Sequence, residues 1–283
     1  MRASDRVMAV GTGVATAVVV GFVGLPILAI FLRVPVSTLL AQLHSRVALD
    51  ALAVSLKTSV IAVALILLLA TPVAYRIATR PFRGASAVTT LLELPLVLPP
   101  AVAGIGLLAA FGRFGLLGGP LRAFGIEIPF TQSAVVMALA FVSMPFYARQ
   151  AIAGFAAVDP QLLGASRSLG AGEARTFTRV AVPLAGQSLS AGATLSFARA
   201  LGEFGATIMF AGSLQGSTQT LPLAVYGQFS SGNIDGALAI AALLVAVSVG
   251  LFVGGRLILR VRASENAGRW SVNPASRSNS GIV

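Results

Sequence analysis

An all-α polytopic membrane protein with about six transmembrane helices is the fold this sequence predicts, and three observations predict it. Of the 283 residues, 56% are hydrophobic and only 10% charged, with a mean hydropathy of +0.90, whereas about a quarter of a soluble domain is charged. Apolar stretches long enough to cross a bilayer recur along the chain, each reaching the roughly 20 residues that a helix needs to span the hydrocarbon core. The basic residues fall in the short segments between those stretches and favour one side, the asymmetry that sets orientation in a membrane.

The candidate spans lie near 8–32, 54–76, 87–111, 131–154, 186–212 and 236–259. The first follows Arg2 and Arg6 and runs uncharged from Val7 to Leu32. That is the length of a span rather than of a shorter, cleaved signal segment. The third carries Glu93 and the pair Pro99 and Pro100, which either kink the span around a cavity or end one helical piece. The fifth carries Arg199 and Glu203, an i,i+4 pair expected on one helix face. Charges inside a span are costly and face a cavity or a partner, so Glu93, Pro99, Pro100, Arg199 and Glu203 are candidates for a gate or translocation path. On an anion path the arginine would attract the substrate and the carboxylate temper it; the alternative is that the pair fixes helix packing near the gate.

Residues 213–235 are nearly uncharged, but their Gly, Ser, Gln and Asn content and Pro222 argue against a helical run. A loop dipping back toward the protein is expected there instead of a seventh span. Gly250 and Gly254 form a GxxxG spacing in the last span, which permits close helix approach but arises readily by chance in a chain with 30 glycines. One membrane domain is expected over 1–262. The tail 263–283, rich in Ser, Asn and Arg, lacks the apolar surface to fold alone and is expected to be disordered.

Fourteen basic residues (Arg2, Arg6, Arg76, Arg80, Arg83, Arg149, Arg167, Arg175, Arg179, Arg256, Arg260, Arg262, Arg269 and Arg277) lie on one side of this arrangement. Arg33, Arg46, Lys57, Arg113 and Arg122 lie on the other. Short cytoplasmic loops retain Lys and Arg, so both termini are expected in the cytoplasm of a cell whose plasma membrane the chain crosses. The formal net charge of +11 is thereby explained by orientation. No basic face interleaved with aromatics suggests nucleic acid.

Catalytic patterns do not emerge. A phosphate-cradling loop needs GxxxxGK followed by Ser or Thr, and the only lysine, Lys57, stands in VSLKTSV without a glycine nearby. A GxGxxA at Gly104, Gly106 and Ala109 lies inside a span with no strand before it, which removes the context of a dinucleotide site. The nine acidic residues make no HExxH or paired-carboxylate pattern. With no cysteine and His44 as the only histidine, neither a metal site nor an activated nucleophile is expected. The chain is read as a non-enzyme without a cofactor of its own.

One basic island stands out, GASRSLGAGEARTFTRVAVPLA from Gly164 to Ala185. Asp159 and Pro160 form a helix start, a capping side chain followed by a proline where the missing N–H costs nothing. Leu162, Leu163, Ser166 and Leu169 follow at helical spacing, and Gly170 is placed to end that helix in a left-handed conformation. Glu173 opens a second short helix whose dipole its carboxylate suits. Arg175 and Arg179 share one of its faces, Phe177 and Val180 lie toward another, and Pro183 is expected to limit its extension. Two short amphipathic helices joined at a glycine suit docking on a cytoplasmic partner, with a position on anionic membrane lipid as the alternative.

In these residues the sequence resembles the permease subunits of ABC importers. Their cytoplasmic loop reads EAA, three residues, Gly, nine residues, then Ile-x-Leu-Pro, and here the same spacing holds Gly164, Ala165 and Ser166, then Gly170, then Val180, Ala181, Val182 and Pro183. Gly164 departs from the pattern by standing where the family has glutamate. The resemblance implies that the loop, Arg167, Arg175 and Arg179 included, forms the coupling helices that sit on the ATP-hydrolysing subunit. LPLVLPPAVAGIGLL (94–108), FGRFGLLG (111–118), FARALGEFGATIMFAG (197–212) and TQTLPLAVY (218–226) are similar to the molybdate-type permeases and, less closely, to the sulfate-type ones. What that implies is a homodimer with two ATPase subunits that bind the ATP. It also implies an external binding protein delivering a tetrahedral oxyanion: molybdate, with tungstate, or alternatively sulfate or thiosulfate. A non-transporting membrane scaffold is the reading from another class.

Overall fold

A computed structural model describes residues 3–80 and 82–270, and every regular element among them is helical. α1 (Ala3–Arg33), α2 (Val36–Leu43) and α3 (Arg46–Thr79) come first. After α3 the chain forms α4 (Ala85–Val97), α5 (Pro100–Phe111), the short α6 (Gly118–Ala123) and α7 (Gln132–Ala156). Beyond α7 lie α8 (Pro160–Ser168), α9 (Glu173–Thr176), a π-helical turn (Phe177–Ala181) and α10 (Val182–Leu184). The chain then forms α11 (Gly186–Leu201), α12 (Gly205–Ala211), α13 (Leu221–Ser230) and α14 (Ile234–Trp270). All six expected spans fall on helices. Among the described residues four helices are long and apolar enough to cross a membrane, or five if the bent pair α4 and α5 counts as one span.

α7 is the hub, packed against α3, α11, α12, α4 and α5. Its buried face is built of small residues, among them Ala134, Ala138, Ala148, Ala151 and Gly154, with Leu139, Tyr147 and Phe155 filling the wider gaps. A Cβ on Gly154 would lie 2.5 Å from the Ser188 side chain, and one on Gly192 would lie 2.9 Å from that of Gln150. Both glycines therefore set how closely α7 and α11 approach, which is how helices gain contact where lipid supplies no hydrophobic drive. One core cluster joins α7 to α5 and α12 through Leu107, Leu139 and Phe210. A second joins it to α3 and the island through Ile66, Tyr75, Phe155 and Leu163. α1 stands apart, packed on α14, with none of its apolar window Met8–Arg33 buried.

Four of the expected elements take a more specific form. The third span is two helices meeting at 118°. Leu98 is extended (ψ 129°), as a residue before proline must be, Pro99 is the N-cap of α5 and Pro100 its first residue. The proline pair thus ends one helix and starts another. The fifth span is likewise interrupted, between Leu201 and Gly205, so Arg199 and Glu203 do not share one helix. Residues 213–235 are not all loop, because Pro222 occupies the first turn of α13, where a proline is tolerated, instead of breaking it. Leu221 and Ala224 are buried against α3 and α14. Finally, α14 continues past Ala263 to Trp270, through Ala263, Glu265 and Ala267, residue types that favour helix. The rest of the expected tail, 271–283, lies outside the described residues.

Candidate functional site

The island folds as two helices joined at a glycine. Asp159 caps α8 by accepting the Gln161 N–H at 2.8 Å, and Pro160 is its first residue. At the other end Ala171 N–H donates to the Ser166 carbonyl (3.1 Å) and Gly170 N–H to that of Arg167 (2.9 Å). This paired closure places Gly170 at φ +80°, a left-handed conformation that a Cβ disfavours. A Cβ on Gly170 or on Gly164 would meet nothing within 4 Å. Backbone conformation alone therefore selects glycine at 170, and the space at 164 would admit a larger side chain. Ser166 and Thr176 hydroxyls lie 3.1 Å apart and tie α8 to α9.

Pro183 does not end the second helix. The π-helical turn widens the backbone just before it, with Val182 N–H donating to the Phe177 carbonyl five residues back, and α10 and α11 follow almost without interruption. A widened turn relieves the clash that a proline ring makes with the preceding turn. Phe177 and Val180 pack inward on the second core cluster, while Arg175 and Arg179 are exposed and Ala165 lies on the outer surface with them.

Arg167 is not a free docking cation. It donates to Glu173 at 3.4 Å, and Glu173 also pairs with Arg80, the residue that caps α3. Glu173 and Arg80 were not among the residues the sequence marked as a site. Their contact joins positions 93 apart in the chain, which no local spacing reveals.

The intramembrane candidates separate into two pairs. Glu93 on α4 meets Arg149 on α7 at 3.0 Å, with both side chains partly exposed. Arg199, in the last turn of α11, meets Glu203 at 2.7 Å. Glu203 is 1% exposed, and its other oxygen accepts the Ala206 N–H at 2.7 Å. One carboxylate therefore bridges the break, neutralising an arginine at the C-terminal end of α11 and satisfying the first turn of α12. Beside it α5 and α12 touch backbone to backbone: a Cβ on Gly104 would lie 2.6 Å from the Ala206 carbonyl oxygen, and one on Gly205 would lie 3.0 Å from Pro100. Gly104 of the GxGxxA spacing thus serves packing, whereas a Cβ on Gly106 would meet nothing within 4 Å. At the end of α7 opposite the island, a cavity of about 670 Å³ opens among Ile105, Phe111, Arg113, Arg122 and Phe130.

A helical membrane domain with small-residue crossings, interrupted spans and a structured two-helix loop beyond the hub helix is the build of an importer's membrane subunit. The chain belongs to the family described as the binding-protein-dependent transport system inner membrane component, whose model matches residues 62–261. It is 43% identical over 239 residues to the molybdenum transport system permease protein ModB of Mycobacterium tuberculosis, covering 83% of this chain and 89% of that one. It is 36% identical to ModB of Escherichia coli K12, covering 78% and 96%. The fold is similar to a chain of the solved bacterial alginate ABC transporter in complex with alginate pentasaccharide-bound periplasmic protein. There the TM-score is 0.70 at 14% identity, over 89% of this chain and 93% of that one. The chain is thus a multi-pass membrane protein and a transport component.

Proposed function

We propose that this chain is the membrane-spanning permease subunit of an ABC importer for molybdate. The observation that carries the substrate is the 43% identity, spread over 83% of the chain, to a molybdenum transport permease. In this reading the chain works as a homodimer. Two cytoplasmic ATPase subunits bind and hydrolyse ATP, and an external binding protein delivers the oxyanion.

The loop from Asp159 to Pro183 is the coupling element. Its apolar residues Leu163, Phe177 and Val180 seat it on the membrane domain, leaving Gly164, Ala165, Gly170, Arg175 and Arg179 at or near its surface for the ATPase subunit. Both termini and this loop are cytoplasmic. The fourteen-to-five split of basic residues supports that side, and the ion pair from the end of α3 to the loop is consistent with it. Pairing of Glu93 with Arg149 and of Glu203 with Arg199 neutralises the carboxylates of the candidate path, which suits passage of a dianion. The breaks at Pro99 and Gly202 divide two spans into rigid pieces, so a gate opens by moving pieces rather than by bending a helix.

The test is reconstitution in vesicles with the ATPase subunits. Molybdate-loaded binding protein is expected to stimulate ATP hydrolysis and molybdate uptake, whereas stimulation by sulfate-loaded protein alone would refute the substrate. Protease protection that places Asp159–Pro183 outside the cell would refute the orientation.

A further inference from the structure

Glu173 is the one acidic residue of the island, and it joins three helices. Its Oε1 accepts from Arg167 of α8 and from the Tyr75 hydroxyl of α3, each at 3.4 Å, while its Oε2 receives the Arg80 guanidinium. Arg167 Nη2 also reaches the Tyr75 hydroxyl at 3.5 Å. Immediately beneath, the Tyr75 ring stands 5.4 Å from Phe155 of α7 and 5.0 Å from Phe177 of the π-helical turn. The loop is covalently continuous with α7 on one side and α11 on the other. Among the described residues this carboxylate, the Arg167–Tyr75 contact and the apolar layer below them tie the loop to α3.

The side chains of Arg80, Arg167 and Glu173 are 42%, 37% and 47% exposed, and ion pairs so open to water add little to stability. Their consequence is geometric. With the carboxylate in place, two guanidinium groups are drawn to one point; without its charge they are like charges with no common partner, and the end of α3 loses its ion-pair tie to the loop. On the reading of this chain as the permease, we infer that Glu173 is a positioning residue that makes α3 move with the coupling loop as one body, so that ATPase motion reaches α3 directly.

The experiment uses the full complex reconstituted in vesicles and measures molybdate transported per ATP hydrolysed, with co-purification of the ATPase subunit alongside. Glu173→Gln is expected to retain the ATPase subunit but to lower the transport ratio by roughly fivefold or more, the lower end of coupling between sites. Arg80→Gln should do the same, and the double variant should be no worse than either, as for residues acting through one contact. Because the chain has no cysteine, Arg80→Cys with Glu173→Cys gives a unique thiol pair. Bridging it with a short bis-thiosulfonate reagent should restore the ratio, and reduction should abolish it again.

A wild-type ratio in Glu173→Gln overturns the inference. So does a bridge that blocks transport, which would mean that α3 and the loop separate during the cycle. Loss of the ATPase subunit from Glu173→Gln also overturns it, since that marks a docking residue. If the wild-type complex itself neither hydrolyses ATP nor takes up molybdate with loaded binding protein, it is the permease reading that fails.

Discussion

Gly170→Val isolates what the loop geometry contributes. Gly170 holds φ +80° at the junction of α8 and α9, and nothing lies within 4 Å of where a Cβ would stand, so the whole cost of the substitution is conformational. A residue with a Cβ enters the left-handed region at about 1–2 kcal/mol, and valine's branched side chain places it at the upper end. A shift of that size changes a local equilibrium by about 5–30-fold, yet it is small beside the 5–15 kcal/mol of a typical domain. The spans therefore remain folded and inserted, while the two helices leave their closed arrangement in a large share of molecules. Gly170→Asn, which tolerates the same backbone at lower cost, should retain most of the function. The assay is ATPase co-purification together with molybdate uptake. Wild-type levels of both in Gly170→Val would show that the angle between α8 and α9 is irrelevant to coupling.

Three further outcomes follow from other contacts. Gly104→Val drives a side chain into the Ala206 backbone and should cost about 1–3 kcal/mol, read as a lower midpoint of thermal unfolding in detergent; an unchanged midpoint would reject the tight α5–α12 crossing. Arg199→Ala leaves a carboxylate that is 1% exposed without its cation and should cost about 2–4 kcal/mol, partly recovered by adding Glu203→Gln, and additive losses would refute the pairing. Gly164→Glu, which restores the acid of the family pattern into open space, should leave insertion and stability unchanged within about 0.5 kcal/mol and bind the ATPase subunit at least as well, so weakened co-purification would assign Gly164 a role of its own.

The sequence by itself determined the class of fold, the helical regions on which the six expected spans fall and the shape of the island, because each rests on short-range physics. A bilayer demands a run of apolar residues of fixed length. An Asp-Pro pair starts a helix and a glycine four residues after Ser166 closes it, whatever else surrounds them. What it left open was where a span stops being one helix. Pro99 and Pro100 are visible as breakers, but the 118° turn they make depends on α5 packing against α12 through Gly104 and Gly205. Pro183 and Pro222 carry the same local signal, yet one is absorbed by a π-helical turn and the other begins a helix, because a proline excludes one hydrogen bond without dictating what replaces it. Arg199 and Glu203 have the spacing of a pair on one helix face and do pair, but across a break that Glu203 itself bridges. The joining of Arg80, Tyr75, Arg167 and Glu173 was decided by tertiary structure alone, since these charges meet only after α3 and α7 have packed along small residues and brought the end of α3 beneath the loop.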